Sequence, residues 1–250
     1  MKRFLLALIF LTLSSTVQAQ VVVLNGASFR TEQPLAGGSW ATAFGAFAGV
    51  TTATAEAYPL PTSLGGATVK VDGVSAPVFY VSPTQINFLI PYGTGAGIRP
   101  IAVETGSATQ TGTVRVMTAA PGIFTKETAN QTPPKGAILN QDFTENTPSA
   151  PIRRGQIIQI FATGPGPLKT SIDDGAAAPT SSLVETVSNP QVYIGGVAAV
   201  VQFSGLAPGF AGLWQVNAFV PDQPFLNGRV PVQLFMDGVD SNEVSIFVAQ

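Results

Sequence analysis

The sequence predicts an all-β protein, a tandem duplication of two β-sandwiches preceded by a signal-peptide helix. Three observations predict it. The heptapeptide Gln85-Ile86-Asn87-Phe88-Leu89-Ile90-Pro91 returns as Gln215-Val216-Asn217-Ala218-Phe219-Val220-Pro221, 130 residues further on, and internal repetition fixes architecture before any other signal. Apolar residues alternate with polar ones at period two, and no stretch after the leader sustains the three-and-four spacing of a helix. The 26 glycines and 20 prolines fall singly between apolar runs, as turns do in antiparallel β-proteins.

The first 19 residues read as a secretory signal peptide. Met1-Lys2-Arg3 is a basic start, Phe4 to Leu13 an apolar core, and Val17-Gln18-Ala19 a small-residue cleavage site. A retained anchor is the alternative, but the apolar core is short for a span. No cysteine follows the cleavage site, which excludes a lipid anchor there. No later stretch is apolar enough to cross a membrane, so no membrane span is expected after cleavage. The predicted location is secreted, periplasmic or cell-surface.

The chain then opens on Val21-Val22-Val23-Leu24-Asn25, whose end recurs as Ile138-Leu139-Asn140. The strands Ser39 to Phe44 and Gln156 to Phe161 follow matching Pro-to-Gly turns. Val69-Lys70-Val71-Asp72-Gly73-Val74 aligns with Val192-Tyr193-Ile194-Gly195-Gly196-Val197, and Pro100 with Pro231. The offset between copies grows in small steps, each within a Gly/Pro/Ser-rich stretch, as loop insertions produce. Asp72-Gly73, Gly195-Gly196 and Asp237-Gly238 are two-residue hairpin signals. In the repeated strand, Ile86, Phe88 and Ile90 share one face, and Gln85, Asn87 and Leu89 the other. Lys126 to Lys135 has the composition of a stiff spacer. The expected organisation is a first sandwich over 20–125, a linker over 126–135 and a second sandwich over 136–250.

With both copies aligned, the sequence resembles the uncharacterised "Solibacter C-terminal domain" family of secreted bacterial proteins, whose segments are similar to IPT/TIG domains. The matching pieces are Leu60 to Gly66, Val78 to Phe88, Pro121 to Phe124, Ala162 to Pro167, Asp174 to Ala177 and Gly205 to Gly209. The chain departs from the family's pattern at Gly45-Ala46-Phe47-Ala48-Gly49. The resemblance implies an immunoglobulin-like sandwich for each copy and an exported protein. It implies no activity and no functional residue.

Composition removes most chemistry. There is no histidine and no cysteine, hence no Ser-His-Asp or Cys-His nucleophile, no imidazole acid–base catalyst and no ordinary zinc site. The net charge of −2 becomes more acidic once Lys2 and Arg3 leave, and no basic patch is visible, so nucleic acid is a poor partner. Asp173-Asp174 and Asp142 with Glu145 could pair as carboxylates, but they sit in turn-forming sequence. Asp237 to Glu243 offers oxygen ligands for calcium, yet the hairpin explains Asp237-Gly238 without a metal. Gly93-Thr94-Gly95-Ala96-Gly97 and Gly164-Pro165-Gly166-Pro167 imitate phosphate loops, but neither opens a helix. The expectation is a non-enzyme with no cofactor and no metal.

The binding candidates are Gln85, Asn87, Gln215 and Asn217, one amide pair per copy, with Tyr58 and Tyr92 in proline-flanked loops as exposed contacts. The structural reading of the amides is that each locks an adjacent loop. Trp40 and Trp214 read as core residues, given the area a tryptophan buries, with a sugar platform as the alternative. The function expected is a non-catalytic binding, adhesion or envelope-structural module, its partner an undetermined protein or a polysaccharide. A carbohydrate-binding or glycan-acting role is the alternative.

Overall fold

The computed structural model describes residues 20–106, 108–126 and 132–249. The expected signal segment lies outside them. The described residues contain strands and no α-helix, and thus no helix long and apolar enough to cross a membrane.

The first half holds β1 (Val22–Asn25), β2 (Trp40–Phe44), β3 (Ala53–Thr54), β4 (Ser63–Leu64), β5 (Ala67–Val71), β6 (Val74–Ser75), β7 (Val78–Val81), β8 (Gln85–Leu89), β9 (Gly97–Thr105) and β10 (Thr109–Val116). The second holds β11 (Gly122–Ile123), β12 (Ile138–Leu139), β13 (Ile152–Arg153), β14 (Ile157–Thr163), β15 (Gln191–Ile194), β16 (Val197–Ala199), β17 (Val201–Leu206), β18 (Trp214–Phe219), β19 (Gly228–Met236), β20 (Val239–Asp240) and β21 (Val244–Ala249). In the first half the sheets run β1-β2-β8-β7-β3 and β10-β9-β5-β4; in the second, β11-β14-β18-β17, with β12 also on β14, and β13-β21-β19-β15-β16. Each half is an immunoglobulin-like β-sandwich.

The two copies pair their strands in the same register. Ala43 pairs with Ile86 on β8 as Ile160 pairs with Val216 on β18. A bulge at Phe79, between Val78 and Tyr80, has its twin at Gln202, between Val201 and Phe203. The three hairpin signals form two-residue turns. Asp72 and Gly73 both take positive φ, 51° and 81°, the pairing that matches strand twist.

Alternation fills each sandwich. Ile86, Phe88 and Ile90 sit with Val69, Val71, Val103 and Val116 in one core. Val216, Ala218 and Val220 sit with Trp214, Ile160, Val232 and Ile246 in the other. The expected boundary needs correction. Met117 N–H still donates to Leu35 O, but Ala120 N–H donates to Gly164 O, and Ala119 and Ile123 belong to the second core. The chain therefore changes sandwich at residues 117–119, ahead of residue 125. The stretch expected as a linker, of which 127–131 lie outside the described residues, closes on itself. Thr125 bridges Gly136 and Lys126 N–H donates to Lys135 O. Both described ends of the stretch therefore belong to the second sandwich, Lys135 also bridging Ser245.

Glu145 ties those two ends together, 2.5 Å from Lys135 Nζ and 3.6 Å from Lys126 Nζ. The hydrogen bond from Lys135 holds its carboxyl below the usual carboxylate range. A depressed folded pKa adds stability above the unfolded value, about 4.3, and loses it as pH falls through the folded one. The Glu145→Gln variant is expected to show a slightly shallower fall in melting temperature below about pH 4.5, the pair being solvent-screened. Melting curves at stepped pH check it.

Candidate functional site

The halves are not merely tethered. Leu60, Leu89 and Ala211 form a small buried cluster across the junction, with Trp40 packed against it. Leu89 is only 2% exposed, although alternation puts it on the polar face of β8, because the second half lies over that end of the strand. Trp40 N–H donates to Thr163 Oγ1 at 2.7 Å and its Nε1 to Ala211 O at 3.2 Å. Leu60 N–H donates to Gly175 O, and Asn25 Nδ2 to Ala120 O.

This junction decides the two tryptophans differently. Trp214 is fully buried, its Nε1 donating to Ser204 Oγ at 3.0 Å, as expected of a core residue. Trp40 is not a core residue. It is half-buried and makes an edge contact with Phe79, centroids 5.7 Å apart and planes at 78°. Phe79 is the extra residue of the bulge and 36% exposed; bulges re-aim side chains in this way. Together Trp40, Phe79, Asn87, Thr42 and Phe124 line an open groove of about 200 Å³. Phe124 comes from the second half, just beyond β11.

The amide pairs behave identically in the two copies. Gln85 Nε2 donates to Asn87 Oδ1 at 2.9 Å, and Gln215 Nε2 to Asn217 Oδ1 at 2.9 Å. Gln215 also reaches Gln159 Oε1 at 3.4 Å. Each amide thus bonds its pair-mate along the strand, not the backbone of an adjacent loop. All four remain half-buried. Of the sequence candidates Asn87 lines this groove, and Phe79 and Phe124 were not among them. The bulge that turns Phe79 leaves no mark in composition, and Phe124 is brought in by the other half.

The remaining candidates separate. Tyr58 is exposed at 41% and lies outside the groove. Tyr92, expected as an exposed contact, is turned inward: its hydroxyl is buried without a partner. Burial, with the Asp174 carboxylate second, pushes its pKa above the usual phenol range. It packs beside Leu168 and Ile172 against a buried cluster at Leu206, and its N–H donates to Asp174 Oδ1 at 2.8 Å. It lines a junction cavity of about 370 Å³, whose polar side chains besides Tyr92 are the hydroxyls of Thr94, Thr118 and Ser171. That cavity offers no amide and no exposed aromatic edge.

Three acidic candidates, Asp142, Glu145 and Asp174, have structural partners. Asp142 accepts from Thr144, which lowers its pKa. Asn242, from the segment weighed for calcium, clasps Ile123 from both sides, accepting from its N–H at 2.8 Å and donating to its carbonyl at 2.9 Å. Among the described residues no three acidic side chains gather as a metal cluster would require.

No protein-family model matches the chain, and no curated protein matches it. Among solved structures it is similar to the Bacteroides ovatus mixed-linkage glucan utilization locus protein SGBP-B in complex with a mixed-linkage heptasaccharide, at 14% identity and a TM-score of 0.34, covering 90% of this chain and 46% of that one. It is also similar to the BSP domain of a biofilm associated protein, at 13% identity and a TM-score of 0.28, covering 92% and 30%. Titin Ig tandem domains A164-A165 match at 8% identity and a TM-score of 0.23, covering 93% and 96%. The chain spans less than half the length of the first two. The sandwich assignment stands on strand order and on the two cores.

Proposed function

We propose that this protein is an exported, non-catalytic binding module of the "Solibacter C-terminal domain" type, and that its groove holds an uncharged carbohydrate. The observation that carries this reading is the meeting of Trp40, Phe79 and Phe124 with Asn87 in one concave surface. Aromatic faces pack against the C–H surface of a sugar ring, and an amide both donates and accepts, as hydroxyls require. None of the lining residues is charged. The groove lies below the roughly 300–1,000 Å³ typical of whole small-molecule sites, which fits one unit of a chain passing across it.

The test is affinity electrophoresis of the full chain through gels containing soluble β-glucan, mannan, xylan or glycol chitin. Retardation by at least one of them is expected. Phe79→Ala and Asn87→Leu should each weaken it about tenfold while leaving the melting temperature within a few degrees, since neither side chain is in a core. Unretarded migration in every gel, or retardation that both variants keep, would defeat the reading.

A further inference from the structure

We propose that the two amide pairs are the ends of one binding strip, and that its ligand is a neutral glycan chain long enough to engage both halves at once. This rests on the carbohydrate reading of the groove. The path can be followed neighbour by neighbour. Asn87 lies opposite Thr42 on the outer face of the first sheet, beside Phe79 and Trp40 in the groove. Phe124 forms the far wall, and its N–H donates to Phe161 O at 3.0 Å. The residues one step inward, Ile123 and Ala162, are opposite each other and both in the second core. Alternation therefore turns Phe124 and Phe161 outward together. Phe161 is opposite Gln215 on β18, and Gln215 carries Asn217. From Phe124 to Gln215 the strip crosses two strand spacings, about 10 Å, before the groove itself is crossed, which is more than one small ring can cover.

Chemistry selects the occupant. In each pair the glutamine Nε2 is given to the asparagine Oδ1. Each pair therefore still has the glutamine Oε1 as an acceptor and the asparagine Nδ2 as a donor, close together, a match for neighbouring sugar hydroxyls. Every side chain named on the path is uncharged. An added peptide strand is excluded from this face, because strand addition needs a free edge. Here β8 has β2 and β7 on its two sides, and β14 has β18 on one and β11 and β12 on the other.

The experiment is calorimetric titration of the full chain with cello-, manno-, xylo- and chito-oligosaccharides of two to eight units. In the series that binds, affinity should climb at least tenfold between two and eight units. Asn217→Leu, in the second half, should erase most of that climb while leaving the weak binding of the shortest bound oligomer intact; Gln215→Leu is the second variant should the first not fold. Oligomers that bind with no length dependence, or an octamer affinity that neither second-half variant changes, would overturn the strip and leave the groove standing. Failure of every oligomer to bind would overturn both.

Discussion

Trp214→Ala is expected to lower the urea midpoint of unfolding by roughly 1–5 M. The side chain is fully buried among Ile160, Val216 and Ile246, and truncating such an aromatic costs about 3–5 kcal/mol in lost transfer energy and cavity. Urea slopes of about 1–3 kcal/mol/M convert that to the stated shift. The indole N–H also donates to Ser204 Oγ, which accepts from Thr186 Oγ1 at 2.7 Å, so a buried hydrogen-bond chain is cut as well. The Trp40→Ala variant is the contrast. Its side chain is half-buried at the junction, so its stability loss should be smaller and its ligand loss larger. The chain has two tryptophans, so in each variant the fluorescence reports from the other one. Equal midpoints for both variants would contradict the division into core and groove.

Gly164→Ala is the second large effect. Gly164 has φ 77°, in the left-handed region. An added Cβ would drive into the carbonyl of Ala120 and approach Ser39 Oγ at 3.2 Å. That carbonyl lies just past the crossing and accepts from Asn25 Nδ2 of the first half, and Gly164 itself follows Thr163, whose hydroxyl holds Trp40 N–H. The dihedral strain costs about 1–3 kcal/mol, and the overpacking about as much again. Gly196 has the same φ of 77° with nothing within 4 Å of its added Cβ, so Gly196→Ala bears the strain alone. Scanning calorimetry should show one transition for the parent chain and for Gly196→Ala, and two separated transitions for Gly164→Ala, the junction having been pried apart. A single unshifted transition in Gly164→Ala would show that the halves do not stabilise each other through the neighbouring Asn25–Ala120 and Trp40–Thr163 hydrogen bonds.

What the sequence made legible was local. Asp72-Gly73 and its two counterparts form turns because two adjacent positive-φ residues have few other uses. The amide pairs were legible because the motif occurs twice. Ile86 and Val216 occupy equivalent places because period two leaves one choice of face once a core exists. What stayed hidden depends on one half covering the other. Leu89 reads as an outward residue and is buried by Ala211; Tyr92 reads as an exposed loop residue and is turned inward; Trp40 reads as core and stands at the seam. The crossing at residues 117–119 was missed because Ala119 and Ala120 carry no turn or spacer signal, while Thr132-Pro133-Pro134 carries a strong one inside the second half.

The clasp of Asn242 on Ile123 has a consequence for biogenesis. Both backbone groups of Ile123 find their partner in a side chain 119 residues downstream. One side of β11 is held by β14, Phe124 N–H donating to Phe161 O, but the Ile123 groups on its other side wait for nearly the whole polypeptide. A chain cut short before Asn242 would leave those two backbone groups of Ile123 without their side-chain partner.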